Sequence, residues 1–387
     1  MISTETITKY LYWLLVLEVC VISISIAAAS IVLALIVLCI VTLSIIEKRW
    51  ILPRTAIDIA FLLYIVIEFI TALNSGQTND ALKNSKRLIL IIIVYGVLIA
   101  FTSKQKIDRA MKIFFGSVAL LSVAEIILYF HEGIARLYVF QHYMTTGGLK
   151  MIVSLMLIPF ILSADLAKKE RFYFSIAFIP TFVALLLTNT RSAWLGLVFG
   201  VLVMSALYYR KLFFILAAAI IVFFSFGPEH QVERAKSIVD MTNSTNVGRL
   251  NMWSTGLRMW KDKPLLGFGD IDLYDAYLTY RTPTGDEPAG HLHNNYVHLL
   301  VTVGIVGLAV ILFMFFKILQ TEYRIFSAFR SQPHVRNIAL GSIAVFSGFL
   351  VNGIFEWNFG DHEIMVFVWF TVGLCLAAKN TGAGATV

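Results

Sequence analysis

Residues 10–46 read YLYWLLVLEVCVISISIAAASIVLALIVLCIVTLSII, and Glu18 is the one charged side chain in the stretch. A helix needs about 20 mostly apolar residues to cross a hydrocarbon core of about 30 Å, so this stretch is too long for one crossing and long enough for two. The sequence predicts the division near Ala27–Ser30, with a tight turn there. The run is unbroken and lacks period-two alternation, which selects helices over a closed barrel as the way to satisfy backbone groups in lipid. Apolar stretches of similar kind follow at about 55–73, 87–101, 110–130, 148–167, 172–188, 192–208, 212–227, 294–318, 337–355 and 363–379. The expected fold class is therefore all-α integral membrane, with about 12 transmembrane helices.

Composition agrees. Hydrophobic residues make up 58% of the 387 and charged ones 14%, with a mean hydropathy of +0.80, outside the range of soluble domains. The net charge of +7 does not point to nucleic acid, because the basic residues are scattered through short connections. Cys20, Cys39 and Cys375 lie inside apolar spans and form no disulfide framework. Lys9 precedes the first apolar stretch and no small-residue cleavage site follows it, which reads as a first membrane helix rather than a removed signal.

Lys48, Arg49 and Arg54, then Lys104, Lys106 and Arg109, then Lys168, Lys169 and Arg171, then Arg210 and Lys211, then Arg324, Arg330 and Arg336 fall in alternate connections. By the positive-inside rule that side is cytoplasmic, and both termini join it. The opposite connections are poor in Lys and Arg except for one long loop, about 228–292, whose length exempts it from the rule. Within it Pro228–Asp240 and Asn251–Trp260 read as helical, while Lys263–Gly269 and Thr282–Gly290 read as turns. Trp253 and Trp260 are placed to rest the loop on the membrane surface. The organisation expected is a bundle of about seven spans over 1–187, a second region over 188–379 that contains the loop, and a cytoplasmic tail over 380–387.

Candidate chemistry gathers on the external side. Arg191, in Thr188-Asn189-Thr190-Arg191-Ser192, is a lone cation at the membrane edge. Either an anionic ligand partners it or it snorkels to lipid phosphate. Arg249 follows the polar run Thr242–Gly248 and is expected near a helix N-terminus, which also favours anions. Two converging guanidinium groups would clamp a diphosphate through paired hydrogen bonds. His291, His293 and His298 mark the point where the loop re-enters the membrane. A neutral histidine there suits proton abstraction from a sugar hydroxyl, whereas three at this spacing also suit a metal, as do Asp270 and Asp272. Glu356, Asp361, His362 and Glu363 form a further polar cluster that reads as a solvated turn or as the lining of the same cavity. Glu18, Asp58, Glu68 and Glu125 lie within spans, as a proton relay or as interhelical hydrogen-bonding groups.

From about Thr188 to Glu363 the chain resembles the bacterial O-antigen ligases and the superfamily they share with O-antigen polymerases and protein O-oligosaccharyltransferases. The most specific element is His293-Asn294, nine residues, then Gly304-Ile305-Val306-Gly307. Thr190-Arg191-Ser192-Ala193-Trp194, Arg249-Leu250-Asn251-Met252-Trp253 and Pro264-Leu265-Leu266-Gly267-Phe268-Gly269 also resemble superfamily signatures.

The resemblance implies a GT-C-type glycosyltransferase of the bacterial inner membrane with a large periplasmic loop. Its donor would be a glycan on undecaprenyl diphosphate and its acceptor a sugar of the lipid A-core oligosaccharide. It implies no cofactor and no metal, which lowers the weight of the metal readings of Asp270 and Asp272. Carried over by position, Arg191 and Arg249 would bind the diphosphate and stabilise its growing charge. His293 would activate the acceptor hydroxyl, with inversion at the anomeric carbon. Arg258, Asn294 and Tyr296 are further donor or acceptor contacts, or structural residues of the loop junction. The alternatives are an O-antigen polymerase, a protein O-oligosaccharyltransferase and, from another class, a transporter. Polymerases usually lack the His-Asn and Gly-x-x-Gly spacing. A transporter would need polar residues deep in several spans and discontinuous helices.

Overall fold

The computed structural model describes residues 3–282 and 290–383, and every regular element among them is a helix. Most of the turn expected over Thr282–Gly290 and the last four residues of the chain fall outside the described residues. The first part of the chain forms α1 (Thr4–Val21), α2 (Ile26–Ile46), α3 (Asp58–Asn74) and α4 (Thr78–Asn84). A 3-10 segment, Ser85–Ile91, then runs into α5 (Ile92–Ala100), followed by α6 (Lys104–Glu132), α7 (Tyr143–Leu162), α8 (Lys168–Leu187), α9 (Arg191–Leu207) and α10 (Lys211–Phe226). The long loop holds α11 (Glu229–Lys236), α12 (Ser244–Asp262) and α13 (Tyr274–Tyr280), and α14 (Asn295–Ala328), α15 (Pro333–Asn352) and α16 (His362–Ala383) complete the chain.

Each of the twelve apolar stretches is helical. Seven helices, α2, α6, α7, α8, α14, α15 and α16, are individually long and apolar enough to cross a membrane. An eighth candidate is α10 with α11, which meet at a bend of 118°. Of the others, α3 and α9 have 17 residues each, and α1 carries Glu5, Lys9 and Glu18. The first break lies between α1 and α2 at residues 22–25, not at Ala27–Ser30. Ser25 accepts a hydrogen bond from the Ala28 backbone N–H and caps α2, so the three alanines, good helix formers, sit inside the helix. At the other end α16 runs to Ala383, through the start of the expected tail.

Helices α7, α15 and α16 form the centre, buried over most of their surface, while α10 buries only Leu212. Small residues let α9 approach α15 closely. A Cβ at Gly196 would lie 2.7 Å from the Gly348 carbonyl oxygen, and one at Gly200 would lie 2.9 Å from that of Ala344. Such small-residue seams are how helices pack where lipid gives no hydrophobic drive. This seam holds α9, whose first residue is Arg191. Three of the carboxylates tie elements together: buried Glu125 pairs with Lys150 at 2.7 Å, buried Glu68 with Arg87 at 2.7 Å, and half-buried Asp58 accepts from Tyr95 Oη at 2.7 Å.

α14 is broken inside its length. Gly304 has φ 67° and ψ −175°, a region that is essentially reserved for glycine. The backbone groups freed there are met by the loop segment Pro264–Gly269. Ile305 N–H donates to the Pro264 carbonyl at 2.9 Å, Phe268 N–H to that of Val301 at 2.9 Å, and Gly269 N–H to that of Thr302 at 2.7 Å. A Cβ on Gly304 would meet the Leu265 carbonyl oxygen at 2.2 Å. The Gly-x-x-Gly motif thus starts with the residue that docks the loop onto the membrane helix. Gly304→Ala is expected to destabilise the protein by at least about 1–3 kcal/mol, read as a lowered thermal midpoint in detergent; an unchanged midpoint would contradict this role.

Candidate active site

The α8–α9 connection is tight because Asn189 adopts a left-handed backbone, φ 52°. Its side chain donates to the Ala135 carbonyl at 3.1 Å, and Thr190 Oγ1 donates to the Tyr143 carbonyl at 3.0 Å. That geometry places Arg191 buried at the start of α9. Its guanidinium donates to the Ser237 carbonyl at 2.7 Å, to Ser237 Oγ at 2.9 Å and to Asn246 Oδ1 at 2.9 Å. All three acceptors are neutral, so they fix the fork without cancelling its charge.

Arg249 comes from α12. This helix starts earlier than the sequence suggests, because Asn243 accepts from the Thr245 N–H and caps it at Ser244. Arg249 therefore projects from the second turn rather than from an N-terminus, and its nearness to Arg191 arises from packing. Arg234, on α11, donates to the Asn189 carbonyl at 3.2 Å. Arg136 lies over the Tyr143 ring, 4.2 Å from its centroid. All four arginines, with Tyr143, Asn189, Thr190 and Thr245, line one cavity of about 90 Å³.

The charges in this cavity strain one another. Burial, then Arg136, Arg191 and Arg249, push Arg234 down to about 10. Burial also lowers Arg249, an effect Glu356 opposes and Arg136 reinforces. Among the described residues the one carboxylate within ion-pair reach of these four is Glu356, whose Oε2 is 4.0 Å from Arg249 Nη2. A largely half-buried cluster so short of negative charge has the electrostatics that favour an anion.

Glu356 leads directly to His293. His293 has a left-handed backbone, φ 44°, an uncommon conformation for such a residue and one that concentrates at functional sites. Immediately after it Asn294 caps α14, its Oδ1 accepting from Tyr296 N–H and Val297 N–H at 2.9 Å each. Asn295 N–H donates to the Gly353 carbonyl at 2.7 Å, and its Oδ1 accepts from Phe359 N–H at 3.1 Å. The strip between α15 and α16 is thereby held beneath His293, with Glu356 Oε1 2.9 Å from His293 Nδ1. Burial raises the Glu356 carboxyl, but the His293 hydrogen bond, with His291 and Arg249, outweighs it and holds the group below the ordinary carboxylate range. This strip is buried, so the reading of Glu356 and Asp361 as a solvated turn is overturned. Asp361 accepts from Thr145 Oγ1 at 3.3 Å and is pushed up to about 8 by burial and by Glu356 and Glu363.

Arg87 braces the same strip from the far side. It pairs with Glu68 at 2.7 Å and Asp270 at 3.3 Å and lies over Trp357 and Phe359 at 5.4 and 5.6 Å. Asp270 is thus engaged by Arg87, while Asp272 Oδ1 caps the Tyr274 N–H at 2.9 Å.

Arg191, Arg249 and His293 are brought together. Arg258, Asn294 and Tyr296 are not among the residues lining the cavity and have protein partners. Arg258 donates to the Tyr280 carbonyl, Ser254 and Thr255, and Tyr296 Oη donates to the Leu350 carbonyl at 2.9 Å. Both indoles of the loop are half-buried and have carbonyl partners: Trp253 Nε1 donates to the Leu292 carbonyl and Trp260 Nε1 to that of Pro264. Arg136 and Arg234 are not picked out from sequence. Position gives a signal for Arg136 alone, a cation in a short connection on the side where the positive-inside rule expects few, whereas Arg234 lies in the long loop that the rule exempts.

Fold and site together define a multi-pass membrane protein with an arginine-lined cavity joined to a histidine–carboxylate pair. Residues 176–312 match the family model described as O-antigen ligase, so that part of the chain is similar to the O-antigen ligase superfamily. The match covers Arg191, Arg234, Arg249 and His293, whereas Arg136 and Glu356 lie beyond it. No curated protein matches the chain.

The cavity predicts binding of inorganic pyrophosphate by the purified protein. Each charged hydrogen bond contributes about 1.5–3 kcal/mol, so Arg249→Gln is expected to weaken binding roughly 10- to 100-fold by calorimetry. Equal affinity in the variant would exclude Arg249 from the anion site.

Proposed function

We propose that the protein is an O-antigen ligase that transfers a glycan from undecaprenyl diphosphate to a sugar of lipid A-core. The observation that carries this is the continuity from the four-arginine cavity through Arg249 and Glu356 to His293. A diphosphate at the membrane edge needs dense, fixed positive charge, and an acceptor hydroxyl needs a base beside it. On this reading the chain has twelve spans in a GT-C-type arrangement in the inner membrane, with both termini cytoplasmic and the site periplasmic. Residues 1–187 are the supporting bundle and 188–379 the region that carries the chemistry.

The reaction is an inverting displacement. His293 donates its Nδ1 proton to Glu356 Oε1, which leaves the Nε2 lone pair free. Nε2 takes the proton of the acceptor hydroxyl while that oxygen attacks the anomeric carbon. The bond from this carbon to the diphosphate breaks, and its electron pair leaves with the diphosphate. Arg191 and Arg249, backed by Arg136 and Arg234, stabilise the charge that develops there. Glu356 stabilises the imidazolium that forms. Arginines serve as the charge sink, so the step needs no metal. Arg258, Asn294 and Tyr296 act on this reading through the loop junction that carries the acceptor.

The test incubates the EDTA-treated protein with undecaprenyl-diphosphate glycan and, separately, lipid A-core and protein acceptors. Glycan on lipid A-core is the expected product. Growth of the lipid-linked glycan alone would make the protein a polymerase, and glycan on protein an O-oligosaccharyltransferase. His293→Ala is expected to lower turnover by about 10²–10⁴-fold with normal membrane insertion. Arg191→Lys is expected to lose roughly 10-fold or more, because a point charge cannot replace the fork. Wild-type turnover in either variant would remove that residue from the mechanism.

A further inference from the structure

Where the loop turns into α14, His291, His293 and Glu356 each offer one ligand atom, and these atoms all lie within 4.8 Å of one another. The His291 and His293 rings are 4.2 Å apart between centroids. Two atoms at this point, His291 Nδ1 and Glu356 Oε2, are buried and have no hydrogen-bond partner among the described residues. A buried polar atom left unpaired costs about 1–3 kcal/mol, so the arrangement favours a ligand that reaches both. Two imidazoles and a carboxylate with an open fourth position make up a donor set suited to zinc.

We propose that His291, His293 and Glu356 bind a zinc ion and that its binding reversibly switches off the His293–Glu356 pair. The inhibitory part rests on the proposed role of His293 as a base; the binding does not. Zinc–ligand bonds of about 2.0–2.2 Å set tetrahedral donors roughly 3.3–3.5 Å apart, so the three side chains need to close by no more than about 1.5 Å. The atom of His293 that faces Glu356 is Nδ1. With zinc on Nδ1, the single proton of the neutral ring resides on Nε2, so the lone pair that would accept the hydroxyl proton is gone. The ring keeps its proton count and loses its function as a base. Arg249, 4.0 Å from Glu356 Oε2, repels a dication, and this makes the ion exchangeable rather than structural.

The experiment uses the full-length, untagged protein in detergent, stripped with EDTA and freed of the chelator, and titrates it with Zn²⁺ by calorimetry. One equivalent is expected to bind to the wild type, and this binding is expected to be lost in His291→Ala and in Glu356→Gln. Transfer by the wild type should fall as zinc is added and return with EDTA. Whatever transfer His291→Ala retains should be insensitive to zinc. Absence of zinc binding to the wild type, or undiminished binding in both variants, would overturn the site. Binding at these residues with transfer unaffected would overturn the switch. Zinc binding lost in both variants, in a protein that transfers glycan to no acceptor, would uphold the site while refuting the proposed function.

Discussion

Positive charge held together in a poorly solvated place repels itself. Two unit charges 4 Å apart interact by about 4 kcal/mol at an effective dielectric of 20. Four guanidinium groups share the lining of one cavity here with a single carboxylate at its edge. Neutral acceptors, Ser237, Asn246 and the Asn189 carbonyl, hold two of the four forks in place without relieving the repulsion. The folded protein carries that cost, and an anion entering the cavity would remove it. Charges fixed in advance do not have to reorganise as a leaving group gains charge, which is the main physical advantage of such a cavity over solvent.

The rest of the architecture serves to keep these groups where they are. The glycine seam between α9 and α15 sets the position of Arg191. The break at Gly304 anchors the segment after α12 and so the helix that carries Arg249. The strip between α15 and α16 is held from one side by Asn295 and from the other by Arg87, whose charge is matched by Glu68 and Asp270. These supports come from helices distant in sequence, and the glycines that admit them, Gly196, Gly200 and Gly304, lie outside the lining of the cavity. Backbone-to-backbone contact tolerates no side chain at Gly304 and little at Gly196.

Much of this was legible in the sequence because lipid imposes a simple rule: apolar stretches must be helices, and all twelve are. The break between α1 and α2 was misplaced because alanine and serine look like a turn by size, whereas the cap on Ser25 decides it. Arg191, Arg249 and His293 stood out as polar groups at the membrane edge. Arg136 and Arg234 did not, since each sits in an ordinary polar context and gains meaning only through packing. Glu356 was ambiguous for the same reason. A carboxylate in a short connection is usually solvated, and only the hydrogen bonds of Asn295 reveal that this connection is folded inward.

The most direct test of the central claim is the position of the diphosphate. An experimental structure of the protein in a lipid nanodisc with undecaprenyl-diphosphate glycan should place the phosphate oxygens within hydrogen-bonding distance of Arg191 and Arg249, and the anomeric carbon facing His293. A diphosphate bound elsewhere, with the arginine cavity filled only by water, would contradict the account.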